Sequence, residues 1–319
     1  MTADTIVVLR ALGLGDFLTA LPALRALAET FPTHRRLLAM PRALAPLAHV
    51  AGVADEIVDA APLAPLAGID AAPAVAVNLH GRGPQSHRVL LQLRPARLIA
   101  FQHPEIGVTA GAPRWREDEH EVLRWCRLLE LSGIPVDADR LDLLPPGARL
   151  PAAAPRDAVG ATLIHPGAAS AARRWPPERF AAVARAERRA GRRVIVTGGA
   201  SEIELAHAVA LQAGLARDTV QAGGTSVLEV AALVAAAARV VCGDTGVAHL
   251  ATALRTPSVV LFGPTPPSRW GPPAARPWHR ALWAGIVGDP HAERLDPGLA
   301  RIEVGDVLAA LHELDAVAA

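Results

Sequence analysis

The sequence predicts an α/β protein made of two Rossmann-like halves, each a parallel sheet wound with helices. Three observations predict it. Short runs of β-branched and apolar residues alternate with longer segments of helical periodicity, the pattern of successive βαβ units. The alternation stops at a stretch holding four prolines and a glycine, 144–155, and then starts again. The length, 319 residues, suits two domains of this type.

In the first half the expected strands are 5–10, 37–40, 74–77 and 98–101, each a short apolar run. Helices are expected over 16–30, 84–93 and 117–131. The second half opens with strand 159–165 and helix 177–190. Strand 193–197, helix 201–213, strand 219–222, helix 226–237, strand 239–242, helix 246–254 and strand 258–262 follow in turn. A last helix, about 304–315, comes after a proline-rich irregular stretch. The expected organisation is a first domain over 1–150, a second over 156–300, and a C-terminal segment, 301–319, with a path open back across the hinge. In such sheets ligands sit beyond the carboxyl ends of the strands, so the expected site is the cleft between the halves.

The bulk composition narrows the function. Half the residues are hydrophobic and 20% are charged, which fits a packed core rather than a disordered chain. A formal charge of +1 gives no global attraction to nucleic acid. No Lys occurs, so any fixed cation in a site must be an Arg, whose planar fork suits phosphate. Cys126 and Cys242 form no CxxC pair, so neither a zinc site nor a disulfide framework is expected. No charged-then-apolar leader and no run of about eighteen apolar residues is evident. A cytoplasmic protein is expected, with peripheral membrane attachment left open.

The motifs lie at strand ends. Strand 5–10 runs into Gly13, Gly15 and Asp16, but position 18 is Leu where a dinucleotide fingerprint needs its third glycine. An acid there would also repel a pyrophosphate. Asp16 is therefore either a helix cap or a general base at the rim of a cleft. Strand 239–242 runs into Gly243, Asp244, Thr245 and Gly246, with His249 one turn further on. A helix start of this kind is a ready anion site; equally, Asp244 caps and His249 packs in a core. The Asp-Thr-Gly triplet also occurs in aspartic proteases, but there it lies in β structure, and one copy stands here.

Three more segments share that face. His165, Pro166 and Gly167 end a strand, and Arg173 stands shortly before a helix, as a diphosphate partner or a solvated basic turn. Glu202 follows the next strand, as a ribose-binding acid or a helix-start acid. A proline-fixed loop, 262–267, ends the last strand. On the first half, His80, Arg82, His87, Arg88, Arg94 and Arg97 form either a solvated face or a site for an anionic acceptor.

Taken in order, these segments resemble glycosyltransferase family nine, the family of the lipopolysaccharide heptosyltransferases. The likeness runs from "VVLRALGLGDFLTALPALRAL" through "VNLHGRGPQSHRVLLQL", "HEVLRWCRLLELSGI", "HPGAASAARRWPPERF" and "VIVTGGASEIELA" to "VVCGDTGVAHLATAL" and "VVLFGPTPPSRWGP". It implies a GT-B architecture, with two Rossmann-like domains facing across a cleft, the acceptor on the first and the nucleotide sugar on the second. It implies an inverting, metal-independent transfer from an ADP-sugar, typically a heptose, to a hydroxyl of a glycan, glycolipid or small molecule, with no further cofactor. Asp16 would be the general base, and Gly15, His80 and Arg82 would lie on the acceptor side. Arg173, a Lys in most members, would face the diphosphate. Asp244, Thr245, Gly246 and His249 match the donor-phosphate segment. Glu202 matches the ribose-binding acid if a one-residue gap is allowed. Thr225 and Ser226 fall at the adenine edge, and Asn78 stands where the family usually has an acid. A monomer is expected. Two other readings stay open: a GT-B-like sugar-nucleotide epimerase, for which no acid–base pair is evident in the donor half, and a non-catalytic nucleotide-sugar-binding relative. Lipopolysaccharide and natural-product pathways are both compatible with the chain.

Overall fold

The computed structural model describes residues 4–69, 72–145 and 147–318. Pro146, part of the expected linker, and residues 1–3, 70, 71 and 319 of the expected domains lie outside the described residues. The chain divides into two compact units, Met1–Gly147 and Ala148–Ala319.

The first unit runs β1 (Thr5–Leu9), α1 (Leu14–Thr19), α2 (Leu21–Thr30), β2 (Arg35–Met40), α3 (Ala45–Ala51), β3 (Glu56–Asp59), β4 (Val75–Asn78), α4 (Gln85–Leu91), β5 (Arg97–Ile99) and α5 (Glu121–Glu130). Its strands pair in parallel in the order β3-β2-β1-β4-β5. Alternation along β1 sorts the core: Val7 and Leu9 join Val89 and Leu90 of the α4 side, while Ile6 and Val8 meet Leu24 and Leu27 of α2. The chain winds outward from β1 to β3 and then returns to β4 on the other side of β1. The loops after β1 and β4 therefore diverge, leaving a crevice beyond their carboxyl ends.

One expected helix, 16–30, is two. Pro22 has no N–H and its ring clashes with the carbonyl four residues back, so the helix breaks at Ala20, whose N–H bonds to the Phe17 carbonyl instead. The break separates α1, which carries Asp16, from α2, which lies against α5. Strand β3 and helix α3 were not expected; β3 is a four-residue edge strand and α3 closes on Gly52 with φ +67°.

The second unit runs β6 (Thr162–His165), α6 (Pro177–Arg189), β7 (Val194–Gly198), α7 (Ile203–Ala213), β8 (Val220–Ala222), α8 (Val227–Ala236), β9 (Arg239–Gly243), α9 (Gly246–Ala253), β10 (Ser258–Phe262), α10 (Pro267–Trp270), β11 (His279–Trp283), α11 (Pro297–Arg301) and α12 (Val304–Ala318). The parallel sheet has the order β11-β10-β9-β6-β7-β8, so its strand order reverses between β6 and β9. Strand β11 extends the sheet beyond the last strand read from the sequence. Helix α12 packs on α6, β10 and β11 of this same unit, with Val307, Ala310, Leu311 and Leu314 buried in its core.

Candidate functional site

In the first unit the strand ends are joined by Arg10, the residue after β1. Its side chain is fully buried. Nε donates to the Asp16 carbonyl at 2.9 Å and Nη1 to the Leu79 carbonyl. Nη2 donates to Glu121 Oε1 at 3.0 Å and to Thr19 Oγ1 at 3.3 Å, and the guanidinium lies 4.9 Å from the Trp125 ring centre. One cation thus ties together the β1–α1 turn, the end of β4 and α5. The sequence reading passed over it. The signal was there: an Arg ending an apolar run of Ile, Val and Leu, just before two glycines and an acid.

Asp16 is the third residue of α1. Its Oδ2 accepts the Gly13 N–H at 3.1 Å, which steadies the helix start, while Oδ1 stands 3.6 Å from Arg10 Nη2. The two readings of this acid therefore do not compete, since one oxygen caps and the side chain remains 28% exposed. Burial pushes its carboxyl above the usual carboxylate range; Arg10 pulls against that and Glu121 adds to it. Gly15 sits beside it in the first turn of α1.

At the end of β4, Asn78 Oδ1 accepts the His80 N–H at 2.9 Å. Asn78 Nδ2 donates towards Ser86 Oγ, His87 Nδ1 and the Gly81 carbonyl at 2.9–3.1 Å. His87 Nε2 lies 2.7 Å from the Phe101 carbonyl, which can only accept, so Nδ1 is the acceptor for Asn78. An ionised acid at position 78 would have no proton to donate to these three groups. Burial and then Arg10 lower the His80 pKa to about 4, so its imidazole is neutral at neutral pH. Arg82 turns outward and pairs with Glu117 at 3.1 Å.

In the second unit, Arg173 and Asp244 come together at the end of β9. Arg173 Nη1 lies 3.3 Å from the Asp244 carbonyl and 3.9 Å from its Oδ2. Burial pushes the Asp244 carboxyl up to about 6, with Arg173 opposing. A Cβ on Gly243 would stand 3.0 Å from the Arg173 carbonyl, so the glycine lets the turn bearing Arg173 pass closely over this strand end. Thr245 precedes α9 in extended conformation and its side chain makes no capping bond. The backbone N–H groups of that helix start thus have no side-chain cap, beside a guanidinium. His249, further along α9, meets the ring of Trp270 edge-on at 5.7 Å.

Glu202 sits across the ends of β6 and β7. Its Oε2 accepts the Gly199 N–H at 2.8 Å and lies 3.7 Å from His165 Nε2. His165 Nδ1 is 3.0 Å from Thr197 Oγ1. A Cβ on Gly167 would fall 2.1 Å from the Glu202 carboxyl, so the glycine after Pro166 makes room for that acid. Thr225 and Ser226 follow β8, at the sheet edge. Ser226 Oγ accepts the Glu229 N–H at 3.3 Å and the Glu229 carboxylate accepts the Ser226 N–H at 2.7 Å, a full capping box for α8. Among the described residues no three His, Cys, Asp or Glu side chains gather as a metal site requires, and no helix is long and apolar enough to cross a membrane.

Comparison with known proteins follows the same lines. The family model described as glycosyltransferase family 9 (heptosyltransferase) matches residues 113–286. The chain is 30% identical over 161 residues to lipopolysaccharide heptosyltransferase 3 of Escherichia coli. That match takes in 48% of the chain and 46% of the relative, so it spans about half the length of the curated protein. Among solved structures, a family 9 glycosyl transferase from Veillonella parvula superposes with a TM-score of 0.77 at 20% identity, over 98% of both chains. The ADP-heptose lipopolysaccharide heptosyltransferase II of Escherichia coli gives 0.74 at 20% identity, over 99% of this chain and 100% of that one. The Escherichia coli heptosyltransferase WaaC, solved with ADP, gives 0.71 at 18%, over 97% and 99%. The α/β fold of two parallel sheets is the one these GT-B proteins have.

Proposed function

The chain belongs to glycosyltransferase family 9, and from that membership we propose that it moves a sugar, in our reading a heptose, from an ADP-sugar to an acceptor hydroxyl with inversion. The acceptor is a glycan, a glycolipid or a small molecule. The observation that supports this most is Asp16, a partly exposed carboxylate beyond β1, where strand order reverses, with a fully buried cation beneath it. Burial raises its carboxyl above the usual carboxylate range, which makes it a stronger base than an ordinary carboxylate.

In this mechanism the acceptor oxygen attacks the anomeric carbon as its proton passes to Asp16. The bond from that carbon to the diphosphate oxygen breaks, and negative charge grows on the departing ADP. Arg173 and the N–H groups at Thr245 and Gly246 face that charge, a preorganised electrostatic contribution of about 3 kcal/mol per donor. Asp244 and His249 line the same helix start, Glu202 holds the ribose diol, and Thr225 with Ser226 meets the adenine edge. Gly15, the neutral His80 and Arg82 receive the acceptor. The protein works as a cytoplasmic monomer, at the membrane surface where its acceptor is a lipid, in lipopolysaccharide or natural-product glycosylation.

Calorimetry with ADP, UDP, GDP and NAD, without added metal, tests the donor half. Selective ADP binding that Arg173→Ala weakens is expected; a preference for UDP or GDP would replace the donor. Transfer assays test the base. Asp16→Asn should lower the rate about 10²–10⁴-fold and leave ADP affinity unchanged. A normal rate in that variant would remove Asp16 from the mechanism.

A further inference from the structure

We propose that Glu121 is a positioning residue for Asp16: through the buried guanidinium of Arg10 it fixes where the carboxylate stands and how the charge beneath it is shared. The inference rests on the reading of Asp16 as the base. Glu121 lies on α5, 105 positions beyond Asp16, and is itself buried. Its Oε1 accepts from Arg10 Nη2 at 3.0 Å and from Trp125 Nε1 at 2.8 Å, and its Oε2 accepts from Arg124.

Geometry makes Arg10 the shared partner of two carboxylates. The same Nη2 that stands 3.0 Å from Glu121 stands 3.6 Å from Asp16 Oδ1. Glu121 therefore draws the cation down into the unit and leaves Asp16 at ion-pair distance, short of a hydrogen bond to Oδ1. With no Glu121, that Nη2 would be free to swing to Asp16 and occupy the oxygen that takes the proton.

Arg124 controls Glu121 in turn. It donates to Glu121 while its other nitrogen reaches the carbonyls of Arg116 and Glu119 at 3.1 and 3.0 Å, and its plane lies 4.2 Å from the Trp115 ring centre. Burial raises the Glu121 carboxyl, but Arg10, Arg124 and the Trp125 N–H outweigh it and hold it below the usual range, so it stays ionised. The charged groups set around Asp16 are thus Arg10 from the end of β1 and Glu121 from α5, the latter balanced by Arg124. His80, at the end of β4 and within reach of Arg10's field, is uncharged above about pH 4.

The signs are distinct. Glu121→Gln removes a negative charge and weakens the hold on Arg10, so Asp16 holds its proton less tightly. Arg124→Gln leaves the Glu121 charge unbalanced, so Asp16 holds its proton more tightly. The measurement is the carboxyl ¹³C titration of Asp16 in protein labelled at aspartate carboxyls, assigned with Asp16→Asn. The midpoint should move to lower pH in Glu121→Gln and to higher pH in Arg124→Gln. A mere loosening of the fold would not move the two in opposite directions. Unchanged midpoints, or shifts of the same sign, would overturn the proposal. Should Glu121→Gln not fold, the upward shift in Arg124→Gln carries the test, and its absence refutes it. The titration needs no turnover, so a transfer-competent Asp16→Asn would sink the base and leave this result readable.

Discussion

Asp16, partly exposed, and Asp244, buried, are both carboxylates beside an arginine, and they differ in what else the arginine touches. Arg10 is shared with Glu121, Thr19 and two backbone carbonyls, whereas Arg173 is part-exposed and meets the Asp244 side chain at 3.9 Å. Such a loose pair does not offset the burial of Asp244, whose carboxyl is pushed from 3.8 up to about 6. The folded state then binds this proton more tightly than the unfolded chain. Stability from this group is present at pH 4 and is lost as pH rises through about 6, a loss on the order of 3 kcal/mol. Asp244→Asn has no charge to bury and should lack that loss. Urea unfolding at pH 4 and pH 7 measures it: the stability of Asp244→Asn relative to wild type should grow between the two. An equal difference at both pH values would mean that Asp244 is solvated in the folded protein. A ligand anion on Arg173 would deepen the cost of ionised Asp244, so ADP binding should also take up a proton near neutral pH.

At the scale of elements, the strand ends explain both what the sequence made legible and what it hid. The alternation of apolar runs is local, and the expected strands of both sheets appear within a few residues of their places. Strand β3 escaped because four edge residues with Glu56 and Asp59 at the ends carry little apolar signal. The break at Ala20 was readable from Pro22, yet the apolar run across it hid it. The motif residues were legible as strand-end residues, but not their partners. Nothing in spacing links Arg10 to Glu121, or Gly167 to Glu202, because those contacts join different βα units. The Gly167 contact is testable. Gly167→Ala would put a methyl where the Glu202 carboxyl now accepts the Gly199 N–H, forcing the acid away at a cost of about 1–3 kcal/mol. In a Glu202→Ala background the same change should cost almost nothing, and a double-mutant cycle by thermal or urea unfolding reads the difference. Additive effects would show that Gly167 serves only the backbone turn.

At the scale of the whole chain, the second unit is built to hold together on its own contacts. The second unit has a complete parallel sheet, and its core draws on β6, β7, β9, β10, α6, α7 and α12 together. The last helix is held by more than apolar packing: Asp315 pairs with Arg192 at 2.8 Å and with Arg239 at 2.5 Å, beside the buried Glu187. Trp175 Nε1 and Arg179 also donate to the Ile302 carbonyl just before α12, so the C-terminal segment closes the sheet it returns to. The proposed donor residues all lie in this unit, from Arg173 to His249. A fragment spanning 148–319 should therefore unfold cooperatively and bind ADP with nearly the affinity of the full chain, weakened in both by Arg173→Ala. Ending the fragment at residue 303 removes α12 and uncovers the apolar faces of α6, β10 and β11, and that shorter piece should lose the cooperative transition. Circular dichroism melting of the two fragments, with calorimetric ADP titration of the longer one, decides this. A longer fragment that folds but does not bind would mean that donor binding draws on residues of the first unit, and the assignment of donor and acceptor to separate units would fall.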